Sequence, residues 1–65
     1  MAELPTKRVK QIMKMAKEDW MDGYESGHFL DPADDFDKQF FKDAGLKTKQ
    51  EQQLYVSTYE ALYYN

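Results

Sequence analysis

Apolar residues recur along the first part of the chain at Val9, Ile12, Met13, Ala16, Trp20 and Tyr24, in steps of 3, 1, 3, 4 and 4. At about 100° per residue they share one stripe roughly 120° wide, with nearly all the charges elsewhere. The spacing predicts an amphipathic helix over residues 6–25. It opens near Pro5 or Thr6, weakens at Gly23 and ends by Gly27. His28, Phe29 and Leu30 then form an apolar connection.

A second helix is predicted over 32–44. Asp31 and Pro32 supply a side-chain cap followed by proline at the first helical position, and further acids occupy the opening turns. Ala33, Phe36, Phe40 and Ala44 share its apolar face, Phe41 lies at the edge of that face, and Gly45 is placed to close the C-terminus. A third helix is predicted over 49–63. Thr48 and Glu51 have the capping-box spacing, in which hydroxyl and carboxylate each satisfy a free backbone N–H. Leu54, Tyr55, Thr58, Tyr59 and Leu62 line its main face, Val56 and Tyr63 widen it, and Tyr64 lies beyond. No run alternates as a strand does, and no repeat or long linker interrupts the chain. The fold class expected is all-α: a small three-helix domain spanning 1–65.

The 65 residues are 42% apolar and 32% charged, which allows one compact domain and no large two-lobed cleft. The absence of cysteine removes disulfides, thiolate metal sites and thiol nucleophiles. No apolar run approaches the length of a membrane span, and the stretch MAELPTKRVK has no signal-like apolar core. A cytoplasmic protein without membrane contact is the expectation.

The net charge of −3 conceals separate blocks. Residues 1–17 carry Lys7, Arg8, Lys10, Lys14 and Lys17 against Glu3. Residues 18–37 carry Glu18, Asp19, Asp22, Glu25, Asp31, Asp34, Asp35 and Asp37 with no cation. The acidic block is the larger signal, and it favours basic protein surfaces over nucleic acid. Within the first helix the order of charges opposes the macrodipole, at about 0.3–1 kcal/mol for charges in the terminal turns. Three accounts stand open. An antiparallel copy of the same helix would set Lys10, Lys14 and Lys17 against Glu18, Asp22 and Glu25. Lys38, Lys42, Lys47 or Lys49 could pair with the acids inside the monomer. Otherwise the charges are exposed and screened.

Candidate chemistry is sparse. Counted from Asp31, the acidic block places Ala33, Phe36 and Lys42 where an EF-hand needs a ligand, glycine and glutamate. Glu25 and His28 make only one of the two Glu-x-x-His elements a di-iron bundle requires, and Gly27 breaks the helix between them. No Ser-His-Asp set or phosphate-cradling loop stands out, so neither enzyme activity nor a metal or cofactor is expected. A helix, Gly45 and a second helix also fit a small helix-turn-helix DNA-binding regulator, with Lys47, Lys49, Gln50, Gln52 and Gln53 offered to bases. Against this, the helix turns to Leu, Tyr and Val, and eight acids precede it.

Ten aromatic residues exceed what so small a core comfortably holds. Trp20, Tyr55 and Tyr59 are assigned to the core, as is Met13. Phe41, Val56, Tyr63 and Tyr64 are assigned to a contact surface. The expected function is therefore non-catalytic binding of a protein with a basic surface. Glu18, Asp22, Glu25, Asp31, Asp34, Asp35 and Asp37 would steer the encounter and the aromatic patch would hold it. Inhibition or modulation of a larger enzyme is a natural use of such a module. If that enzyme handles nucleic acid, the carboxylates can act as a DNA mimic. A self-associating helical protein is the other alternative. In size and composition the chain resembles small acidic, aromatic-rich accessory proteins of phages or mobile elements, a likeness that covers no defined motif.

Overall fold

A computed structural model of the chain describes residues 4–31 and 34–64. Three helices follow in order: α1 (Thr6–Ser26), α2 (Lys38–Ala44) and α3 (Lys49–Tyr63). No strand occurs among the described residues, and the architecture is an all-α three-helix domain.

Local chemistry accounts for most of the helix ends. α1 follows Pro5 and closes on Gly27, whose φ of 78° places it in the left-handed region that glycine adopts without strain. The Gly27 N–H donates to the Gly23 carbonyl at 2.8 Å. α2 ends in a Schellman closure: Gly45 N–H donates to Lys42 O at 3.1 Å and Leu46 N–H to Phe41 O at 2.9 Å, while the Leu46 side chain is buried. α3 begins on a complete capping box between Thr48 and Glu51.

The start of α2 differs from the sequence expectation. The part of the predicted 32–44 helix that falls on Pro32 and Ala33 lies outside the described residues. Asp34 and Asp35 form a turn, in which both N–H groups donate to the Asp31 carbonyl, at 3.1 and 2.8 Å. The Asp35 carboxylate in turn accepts from the Asp31 N–H at 2.6 Å. Asp37 then takes an extended conformation and caps α2 by accepting from the Phe40 N–H at 2.9 Å. Two Asp cap signals compete here and the later one starts the helix. Closely spaced aspartates prefer such local side-chain bonds to helical ones. The break also brings Phe36 inward, stacked on Phe40 at 4.7 Å and edge-on to Tyr55 and Tyr59 at 5.4 and 5.2 Å.

α1 and α3 form the main helix pair and run in the same general direction. Arg8, early in α1, meets Glu51, early in α3. Late in α1, Trp20 is linked through the Phe29 ring to Tyr63 at the end of α3. Ile12, Ala16, Leu46, Tyr55 and Tyr59 are buried at the centre; Trp20, Leu30, Phe36, Phe40 and Phe41 pack around them. A buried tyrosine needs a partner for its hydroxyl. Tyr55 O–H donates to the Asp19 carboxylate, and Tyr59 O accepts from the Leu30 N–H at 3.0 Å. Burial, reinforced by Asp19, holds the Tyr55 phenol neutral far above its ordinary pKa; burial raises Tyr59 as well.

The wide apolar stripe of α1 is only partly used. Ile12 and Ala16 are buried, but Met13 and Tyr24 are exposed, which corrects the assignment of Met13 to the core. α2 approaches α1 on the Asp19 and Gly23 side, through Phe40, so the flank of the stripe that carries Met13 is left open along α3.

Candidate functional site

The rings that remain at the surface gather at one end of the molecule. After Gly27 the chain doubles back across α1, and Phe29 passes over Gly23. A Cβ on Gly23 would lie 3.0 Å from Phe29 Cδ1 and 3.1 Å from the His28 carbonyl. Glycine therefore allows an approach that alanine would obstruct. Phe29 lies 5.9 Å from Trp20 and 6.4 Å from Tyr24, and meets Tyr63 edge-on at 5.9 Å. Tyr63 stacks on buried Tyr59 at 6.0 Å and meets Tyr64 at 4.8 Å. Trp20, Tyr24, Phe29, Tyr63 and Tyr64 thus form one continuous ring cluster anchored on the core. Its outer members are open to solvent: Tyr24 is 65% and Tyr64 66% exposed, Phe29 40% and Tyr63 36%.

Carboxylates border this cluster. The Tyr64 N–H donates to the Glu60 carbonyl at 2.9 Å, which sets Glu60 one turn before that ring, and Asp31 follows Leu30, whose N–H donates to the Tyr59 hydroxyl at 3.0 Å. Desolvation, and then the charges of Asp31 and Glu60, push the Tyr64 phenol above its ordinary pKa. Asp31 is half-buried. Asp34, Asp35 and Asp37 follow it on the exposed connection. Asp35 and Asp37 are also engaged locally, as turn and cap acceptors. Glu18, Asp22 and Glu25 lie exposed on α1, with Lys14 and Lys17 at the same shallow depression.

The residues assigned to a contact surface therefore divide. Tyr63 and Tyr64 join the ring cluster. Phe41 and Val56 are half-buried and border a separate depression with Lys49, Gln52 and Gln53, and Phe41 also packs on the core. Tyr24 and Phe29, absent from the sequence-based site, are exposed members of the ring cluster. The signal for Phe29 was the apolar connection after Gly27, but its target could not be read locally. A further groove between α1 and α3, lined by Met13, Thr58, Ala61 and Leu62 with Lys14 and Lys17 at its edge, was hidden by the assignment of Met13 to the core.

No family model, curated protein or solved structure matches the chain. Function must be argued from the surface itself. Among the described residues no three His, Cys, Asp or Glu side chains converge as a metal site, and His28 stands exposed in the connection. No helix among them is long and apolar enough to cross a membrane. No buried side-chain nitrogen or oxygen among the described residues lacks a hydrogen-bond partner, so none points unpaired into a pocket.

Proposed function

We propose that this protein is a non-catalytic protein-binding module whose ring cluster docks on a basic, arginine-bearing surface of a partner. The observation that carries this reading is the coincidence at one end of the molecule of exposed Tyr24 and Tyr64 with Glu60, one turn before Tyr64, and with the acidic connection that begins at Asp31, next to the Leu30–Tyr59 hydrogen bond. Aromatic faces attract guanidinium groups and carboxylates pair with them bidentately, so rings edged by acids suit arginine better than any other side chain. Asp34, Asp35 and Asp37 extend the negative field and speed encounter, while ring burial sets the lifetime. Within this reading the protein modulates or inhibits a larger enzyme. Where that enzyme handles nucleic acid, the carboxylates occupy its phosphate track.

The test begins with capture of the partner on immobilised protein, followed by titration of the purified complex. Truncation of either outer ring, Tyr24→Ala or Tyr64→Ala, is expected to weaken binding about 10-fold or more, as for other interface aromatics. Raising the salt from about 0.05 to about 0.5 M should slow association, because the steering charges are solvent-exposed. Affinity indifferent to both rings and to salt would overturn the proposal.

A further inference from the structure

The outward face of α1 carries a stripe that the docking of the ring cluster does not engage. Lys7, Gln11, Lys14, Glu18, Met21 and Glu25 follow one another in steps of 4, 3, 4, 3 and 4, the spacing that keeps residues on one side of a helix. All six are exposed, and the stripe lies diametrically opposite the buried Ile12, Ala16 and Gly23. Lys10 and Asp22 flank it, also exposed.

Read in reverse, the stripe complements itself. Inverted about position 16, Lys7 falls on Glu25, Lys14 on Glu18 and Gln11 on Met21. We propose that α1 pairs antiparallel with α1 of a second copy across this stripe, about a two-fold axis that crosses the exposed face of α1 at the height of position 16. Each cation then faces an acid of the second copy. The contact is isologous, as closed dimers require. A parallel pairing would oppose Lys7 to Lys7 and Glu25 to Glu25, so the charges select the antiparallel arrangement.

Two observations leave these charges available. The only α1 ion pair within the stripe among the described residues is Lys14–Glu18, long at 3.9 Å and exposed on both sides; the lysines of α2 and α3 form none with Glu18, Asp22 or Glu25. In addition, α1 has no acid in its first turn and no base in its last, so its charge order gains nothing from the macrodipole. Pairing with a second copy gives that order a use. This inference is independent of the ring cluster, which can be disabled without touching Lys7, Lys14 or Glu18.

Sedimentation equilibrium over a concentration series tests it. The wild-type protein should approach twice its monomer mass near about 1 mM at low ionic strength and revert at about 0.5 M salt, because a polar seam is screened. An all-acidic stripe (Lys7→Glu with Lys14→Glu) and an all-basic one (Glu18→Lys with Glu25→Lys) should each dimerise at least about 10-fold more weakly. Mixed in equal amounts, the two variants should associate one to one. Each variant improves one terminal charge of α1 relative to the macrodipole, which offsets the like-charge pair it creates at positions 14 and 18, so both should stay close to wild-type helicity; Lys14→Glu mixed with Glu18→Lys is the smaller alternative. A monomer throughout, a dimer indifferent to these changes, or variants that fail to associate on mixing would overturn the proposal.

Discussion

Tyr55→Ala should leave the protein largely unfolded at 25 °C. Tyr55 is fully buried, meets Phe36 and Phe40 at ring distances of 5.4 and 5.6 Å, and ties α3 to α1 through Asp19. Truncating a buried aromatic costs about 3–5 kcal/mol, against a total of about 3–10 kcal/mol for a domain this small. Tyr55→Phe separates packing from the hydroxyl. It keeps the ring and frees the half-buried Asp19 carboxylate to meet water, for about 1–2 kcal/mol. The pH dependence has a definite sign. Because burial and then Asp19 raise the folded-state pKa of Tyr55 above the ordinary 10.0, its contribution is complete below pH 10 and is lost as pH rises above it, where the unfolded chain ionises first. Denaturant unfolding followed by circular dichroism should show a steeper alkaline decline for the wild type than for Tyr55→Phe. Equal slopes would show that the hydroxyl is not held as described.

The second large effect is expected at Arg8. Its Nε donates to Glu51 Oε2 at 2.7 Å, one guanidinium nitrogen reaches the Gly45 carbonyl at 3.0 Å and the other Gln11 Oε1 at 2.6 Å. Glu51 Oε1 also accepts the N–H groups of Lys47 and Thr48, at 3.0 and 3.3 Å. One ion pair therefore joins the start of α1 to the turn between α2 and α3. The side chains are 27% and 11% exposed, so the pair falls between surface pairs, which contribute little, and buried ones, whose breaking costs about 3–5 kcal/mol. Arg8→Met should destabilise by about 2 kcal/mol on that scale. The Arg8 bond, more than the backbone donors, depresses the Glu51 pKa below 4.5, so this contribution is present above pH 4.5 and fades as pH falls through the lower folded value. In a denaturant series, Glu51→Gln should be less stable at neutral pH and lose less on acidification. An acid profile parallel to that of the wild type would contradict the assignment.

What could be read from the sequence was local. The Thr48–Glu51 box, Gly27 and Gly45 each act within a few residues, and they fix three helix ends where the spacing places them. The stripe of α1 also identified Ile12 and Ala16 as core. What could not be read depended on partners distant in sequence. Asp31, followed by Pro32, carries the cap signal in the sequence, yet α2 starts after Asp37, where the local aspartate turn and the packing of Phe36 against Tyr55 and Tyr59 meet. Met13 and Tyr24 follow the helical period faithfully, yet they are exposed, because α2 approaches α1 on the Asp19 and Gly23 side and leaves the opposite flank of the stripe open. Glu51 reads as a cap alone; its second role needs Arg8, 43 positions away. For the surface, the excess of rings and carboxylates was legible, whereas the meeting of Tyr24 and Phe29 with Tyr63 and Tyr64 depended on the reversal over Gly23.

The central claim is that the outer rings exceed what the fold itself requires. Denaturant unfolding of the Tyr24→Ala/Tyr64→Ala double variant tests it most directly. Since both rings are about two-thirds exposed, the account predicts a loss of stability no greater than about 1 kcal/mol and unchanged helicity. A loss approaching the about 3–5 kcal/mol expected at Tyr55 would place these rings in the core and contradict the claim.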